Sequence, residues 1–232
     1  MRFAAGLDLG QQQDYSALVV VERTSDGSRW SHSVRHIARW RGKPYPVVVA
    51  EVGRLLSRRP LGPETSLHVD ATGVGRAVLD LLRQAHAEGH LPCYPREITI
   101  TGADEAGPGG RTIPKRDLIA HLEVLLATNR LQVAAGLALA RALREELASF
   151  RAKVTAMGHA TYEAGGSAHD DLVIAVALAT WAAGSVPEQV SGLIELQREL
   201  RRPGWGRQID GASSLLTPGW GRYGIDRETN GW

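Results

Sequence analysis

Cysteine is almost absent. Cys93 stands alone among 232 residues, which excludes a disulfide framework and a cysteine-rich zinc site and fits a reducing compartment. No apolar run approaches the roughly 20 residues of a membrane span, so no membrane partner is expected. Met1-Arg2-Phe3 leads into an apolar segment without the hydrophobic stretch of a secretion signal, and a cytoplasmic protein is expected. A strong net charge is missing too: the balance is +2. No Gly-x-x-x-x-Gly-Lys-Ser/Thr phosphate loop occurs anywhere in the chain.

What is present suits a globular protein. Hydrophobic residues make up 43% and charged residues 22%, enough for one sizeable core or a core with an appendage. The cations are unevenly spread. Arg35, Arg39, Arg41, Lys43, Arg54, Arg58 and Arg59 fall in one segment that holds a single acid, Glu51. Such a segment either follows a phosphate backbone or forms a solvated face.

The apolar patterning predicts strands over 3–9, 16–23 and 29–40, with turns between them. A helix is expected over 47–57, then a short buried strand from Ser66 to Val69 that ends in Asp70. The turn Ala71-Thr72-Gly73-Val74-Gly75 leads into a helix over 76–88, closed by Gly89. A strand over 96–101 and a Gly-rich loop over 102–114 come next, then a helix over 115–128 and an extended piece over 130–133. Residues 137–151 read as an amphipathic helix and 153–163 as a hairpin around Met157-Gly158. A last helix, opened by the stretch from Gly165 to Asp171 with Ser167 as candidate N-cap, reaches about Ala183; it is apolar all round and should be buried. Antiparallel strands followed by strands alternating with helices indicate an α/β fold, a central mixed β-sheet flanked by helices. The expected core is 1–184, followed over 185–232 by a polar helix and a Gly/Trp-rich tail in which Pro-Gly-Trp-Gly-Arg occurs at 203–207 and again at 218–222.

Three acidic positions lie where a core element meets a turn: Asp8 ends the first strand, Asp70 ends a later one, and Asp170 and Asp171 open the buried helix. A buried carboxylate is costly unless a cation answers it. If the two strands are neighbours and the helix packs beside them, the carboxylates converge. Hard oxygen donors of this kind suit Mg²⁺ or Mn²⁺. Two such ions about 3.5–4 Å apart clamp the attacking water and leaving oxygen of a phosphodiester. Each acid has a plainer role as well: Asp170 and Asp171 favour a helix N-terminus, and Asp70 favours a turn. Asp8, inside a strand, has neither. Lys115 and Arg116 at a helix start oppose the dipole there and invite an anion, and His169 would orient a water or a phosphate, or serve the structure alone.

These motifs resemble the nuclease domain of the phage large terminase subunit, within the ribonuclease H-like superfamily. The matching pieces are Gly6-Leu7-Asp8-Leu9-Gly10 with Asp14-Tyr15-Ser16-Ala17, then Val69 to Gly75, Ile113 to Leu118, Arg130 to Val133, and His169-Asp170-Asp171 to Ala175. They occur in the family's order over roughly residues 1–184. The resemblance implies a ribonuclease H-like fold and metal-dependent cutting of double-stranded DNA during viral genome packaging. It implies Asp8, Asp70 and Asp171 as catalytic and metal-binding carboxylates, Asp170 as an adjacent ligand, and two Mg²⁺ or Mn²⁺ ions. Arg35, Arg39, Arg41, Lys43, Lys115, Arg116 and His169 are the candidate DNA contacts. The host cytoplasm is the expected location if the chain is phage-encoded. Large terminases carry an ATPase motor, and without a phosphate loop this chain is expected to be an excised domain, a domesticated relative, or a nuclease that works with a separate motor or portal. An actin-like or sugar-kinase ATP-binding protein shares the Asp-x-Gly and Asp-x-Thr-Gly turns and competes with the nuclease reading. So does a non-catalytic DNA-binding assembly module. Within the nuclease class, a junction resolvase or a transposase-like enzyme would carry the same metal site.

Overall fold

A computed structural model describes residues 2–11, 14–25, 29–102, 111–134, 136–156 and 170–181, with the backbone alone over 150–156. Among the described residues, seven strands and five helices follow one another: β1 (Phe3–Asp8), β2 (Tyr15–Ser25), β3 (Trp30–Arg41), α1 (Tyr45–Leu56), β4 (Ser66–Asp70), α2 (Gly75–Ala87), β5 (Pro95–Thr101), β6 (Thr112–Pro114), α3 (Lys115–Ala127), β7 (Leu131–Val133), α4 (Ala140–Ala156) and α5 (Asp171–Thr180). The strands form one sheet in the order β6-β5-β4-β1-β2-β3-β7. β1, β2 and β3 are antiparallel neighbours, while β4 to β6 extend the β1 side in parallel and β7 joins β3 in parallel. The sheet is mixed, as the element order predicts.

The period of two along β1 and β2 builds two cores. Ala5, Leu7, Leu18, Val20 and Trp40 face α1 and α2, packing with Val52, Leu56, Val78 and Leu82. Ala4, Ala17, Val19 and Ile37 face the other way, packing with Leu118, Leu122, Leu143 and the stretch of α5 from Leu172 to Ala179. Every residue of α5 from Asp171 to Thr180 is buried. It lies on β1 and β2 with α3 and α4 beside it.

Two expectations are corrected. The loop expected over 102–114 ends in a strand, β6, whose Ile113 pairs with Ile100 of β5. The hairpin expected from Lys153 begins as helix instead, because α4 runs on to Ala156. Ala152, Lys153 and Ala156 are good helix formers, and no glycine or proline intervenes before Gly158. The rest of that hairpin, the loop at 103–110, Ser167, His169 and the tail over 185–232 lie outside the described residues. The N-cap position of α5 is Asp170, whose side chain makes no capping hydrogen bond. Among the described residues, no helix is long and apolar enough to cross a membrane.

Candidate active site

Asp8 falls on the α5 side of the sheet by simple alternation with Ala4 and Gly6. Gly6 is what lets the helix come so close. A Cβ there would stand 2.1 Å from the Ala175 carbonyl oxygen and 2.6 Å from the Ala179 nitrogen. With α5 laid directly on β1, Asp171, one turn before Ala175, is carried to the end of β1 where Asp8 sits.

Asp70 arrives from the neighbouring strand. Leu7 pairs with Val69 in parallel register, so the two aspartates end adjacent strands. The Thr72 backbone N–H donates to the Asp70 Oδ1 at 2.8 Å. Thr72 is itself pinned to β5, its hydroxyl accepting from the Ile100 N–H at 3.0 Å and donating to the Ile100 carbonyl at 3.2 Å. Gly75 allows α2 to begin here, because a Cβ would lie 1.9 Å from the Asp70 carbonyl oxygen. Burial raises the Asp70 carboxyl above its usual range, with the Thr72 hydrogen bonds offsetting part of the shift.

The electrostatics centre on Asp8. Burial raises its carboxyl well above the ordinary range, Asp70, Asp170 and Asp171 push it further, and Lys115 opposes them. Asp70 of β4 and Asp170 and Asp171 at the start of α5 thus all act on Asp8.

Cations from elsewhere in the fold hold two of them. Lys115, first in α3, pairs with Asp170 at 2.7 Å. Arg39 of β3 pairs with Asp171 at 2.5 Å and with Glu146 of α4 at 3.0 Å. The Arg39 guanidinium also stacks over the Tyr15 ring, 3.9 Å from its centroid. Glu146 accepts the Leu172 N–H at the start of α5 at 3.2 Å. Burial first, and then the charge of Asp171, push the Glu146 carboxyl up to about 7, with Arg39 pulling the other way.

Glu146 is the site residue that sequence reading missed. It lies on a helix rich in charged residues, next to Glu145, and nothing local distinguishes the two. Glu145 pairs with Arg141 on the exposed surface, whereas Glu146 turns inward. The basic residues also separate. Arg39 and Lys115 reach the acidic centre, and Arg116 lies 3.5 Å from Asp117. Arg35 is the residue of β3 that the strand register skips where it shifts at Val20/Val21, and its side chain pairs with Glu22. Lys43 pairs with Glu51, and Arg41 stacks on Tyr15. The segment from Arg35 to Arg59 is therefore not a single patch.

The donor set suits a hard divalent cation: four carboxylates, one of them pushed towards protonation by burial and by its neighbours' charge, are what such an ion would relieve. In the arrangement seen, no three acidic, His or Cys side chains among the described residues stand close enough to share an ion. Lys115 and Arg39 supply counter-charge to Asp170 and Asp171.

Comparison with curated proteins finds no match. Among solved structures, the human cytomegalovirus terminase nuclease domain aligns at 13% identity and a TM-score of 0.50, over 82% of this chain and 88% of that one. The large terminase nuclease of the thermophilic phage G20c aligns at 21% identity and a TM-score of 0.48, over 76% and 80%. The large terminase nuclease domain of bacteriophage SPP1 with bound Mn aligns at 14% identity and a TM-score of 0.41, over 77% and 85%. Residues 5–182 match the sequence model of the terminase RNaseH-like domain, and the chain belongs to that family.

Proposed function

We propose that this chain is a divalent-metal-dependent endonuclease that hydrolyses phosphodiesters of double-stranded DNA, and that it acts in viral genome packaging together with an ATPase motor, whether as part of a larger terminase or beside a separate motor or portal. The observation that carries the reading is geometric: Asp8 and Asp70 end the adjacent strands β1 and β4, and α5, which begins with Asp171, lies directly on β1. Family membership supplies the context. Mg²⁺ or Mn²⁺, as two ions, would suit these oxygen donors, and Asp8, Asp70 and Asp171 would hold them with Asp170 assisting. Bound there, divalent ions supply an activated water and stabilise the leaving oxygen.

The chain's own residues do the positioning. β1 holds Asp8 rigidly in the sheet, the Thr72 N–H orients Asp70, and α5 presents Asp171 from a fully buried helix. Lys115 places positive charge beside Asp170, where a phosphodiester would approach, and Arg39 balances Asp171 from within the fold. Arg35, Arg41, Lys43, Arg116 and His169 are further candidate DNA contacts.

The test is incubation of supercoiled and linear duplex DNA with Mn²⁺, Mg²⁺ or chelator. Nicking that needs metal and disappears in Asp8→Asn supports the reading. Cutting that survives in Asp8→Asn overturns it, and salt-sensitive DNA binding without cutting would indicate an assembly module instead.

A further inference from the structure

Arg39 serves two carboxylates with one nitrogen. Its Nη2 lies 2.5 Å from Asp171 Oδ1 and 3.0 Å from Glu146 Oε1. The side chain is 15% exposed and stacked on Tyr15, so it is not placed to swing out to solvent. Its Nε is buried without a hydrogen bond among the described residues. The guanidinium is therefore concentrated on these two acids. The other oxygen of Glu146 accepts the Leu172 N–H, at the N-terminus of a helix whose own cap residue, Asp170, makes no capping bond. Glu146 is thus tied to Asp171 in two ways, through the arginine they share and through the first turn of α5.

We propose that Glu146 is a positioning residue for the acidic centre: it draws Arg39 partly off Asp171 and anchors the start of α5, and so sets how readily Asp171 can take up a divalent cation. The proposal rests on the metal-nuclease reading. Arg39 and a metal ion compete for the same carboxylate oxygens, since each answers the same negative charge. With the Glu146 charge removed, Arg39 belongs to Asp171 alone and the competition sharpens. Glu146→Gln isolates this effect, because the amide oxygen can still accept from Leu172 while the charge is gone.

The experiment is calorimetric titration of the full chain with Mn²⁺ in the absence of DNA, with thermal melts in chelator alongside. Glu146→Gln should weaken Mn²⁺ binding about tenfold, and Arg39→Gln added to it should restore affinity to within about threefold of wild type. The melt of Glu146→Gln in chelator should stay close to wild type. Unchanged Mn²⁺ affinity in Glu146→Gln overturns the proposal. A double variant as weak as Glu146→Gln also overturns it, because the effect of Glu146 would then not run through Arg39. Wild type that takes up no Mn²⁺ overturns the metal-nuclease reading and this proposal with it, an outcome distinct from the other two.

Discussion

Asp8 and Arg39 stand in one row of the sheet with only Ala17 between them. Asp8 pairs with Ala17 across β1 and β2, and Ala17 pairs with Arg39 across β2 and β3. Ala17 is fully buried on the α5 side, and its single methyl leaves room above the row. That space is where the arginine of one strand and the carboxylates of the others meet the start of α5. Ala17→Leu should cost about 1–3 kcal/mol by overpacking this row. Urea denaturation checks it, and a midpoint equal to wild type would mean that the row has slack.

Asp8→Asn should make the chelated protein more stable while abolishing cutting. The Asp8 carboxyl is raised in the fold, so at neutral pH its ionisation opposes folding, and an amide removes the repulsion from Asp70, Asp170 and Asp171. The melting temperature in chelator should rise by about 2–4 °C for each kcal/mol relieved. The gain should shrink as pH falls and the wild-type carboxyl protonates. A lower melting temperature at pH 7.5 would show that the carboxylate supports the fold.

Gly6→Ala should be far more damaging than its size suggests. The new methyl would meet backbone atoms of α5 at 2.1 and 2.6 Å, and the helix would have to move away from β1. A loss of about 3 kcal/mol is expected. Gly89→Ala provides the comparison: Gly89 has φ +78 with nothing within 4 Å, so strain alone costs about 1 kcal/mol. Denaturant midpoints of the two variants should differ accordingly, and equal losses would mean that the α5 contact is not tight.

Two buried histidines should make the fold sensitive to acid. Burial pushes His32 in β3 down to about 3 and His121 in α3 down to about 4, the Thr180 carbonyl offsetting part of the shift at His121. An unfolded histidine titrates near 6.5. The unfolded chain therefore gains protons first as pH falls below 6.5, and stability declines until the folded pKa is passed. For His121 this amounts to about 3 kcal/mol over the window, with no contribution above pH 6.5. His121→Phe preserves the edge-on contact with Trp181, whose ring lies 5.5 Å away, and should flatten the decline between pH 6.5 and 4.5. An unchanged slope in urea melts would show that His121 is not held neutral.

The local patterns were readable because they repeat over a few residues. Short apolar runs bounded by turn residues marked β1 and β2, and the all-apolar α5 announced its burial. The aspartates stood out because each interrupts such a pattern. Strand β6 was not readable, since Thr112, Ile113 and Pro114 are too few to show a period and become a strand only by pairing with Thr99 to Thr101. Glu146 was hidden for a different reason: only the way α4 packs separates it from Glu145.

The sequence by itself determined which residues would be awkward: a carboxylate ending each of two buried strands, and two more opening a buried helix. That information lies in the contrast between a charge and its apolar neighbours, which is local. Only the tertiary structure decided which cation answers which acid. Arg39 reaches Asp171, 132 positions away, because two strand registers place it beside Ala17 and the absent side chain of Gly6 lets α5 settle onto the same face. Charge pairing across such distances depends on register and close packing together, and no stretch of sequence carries both.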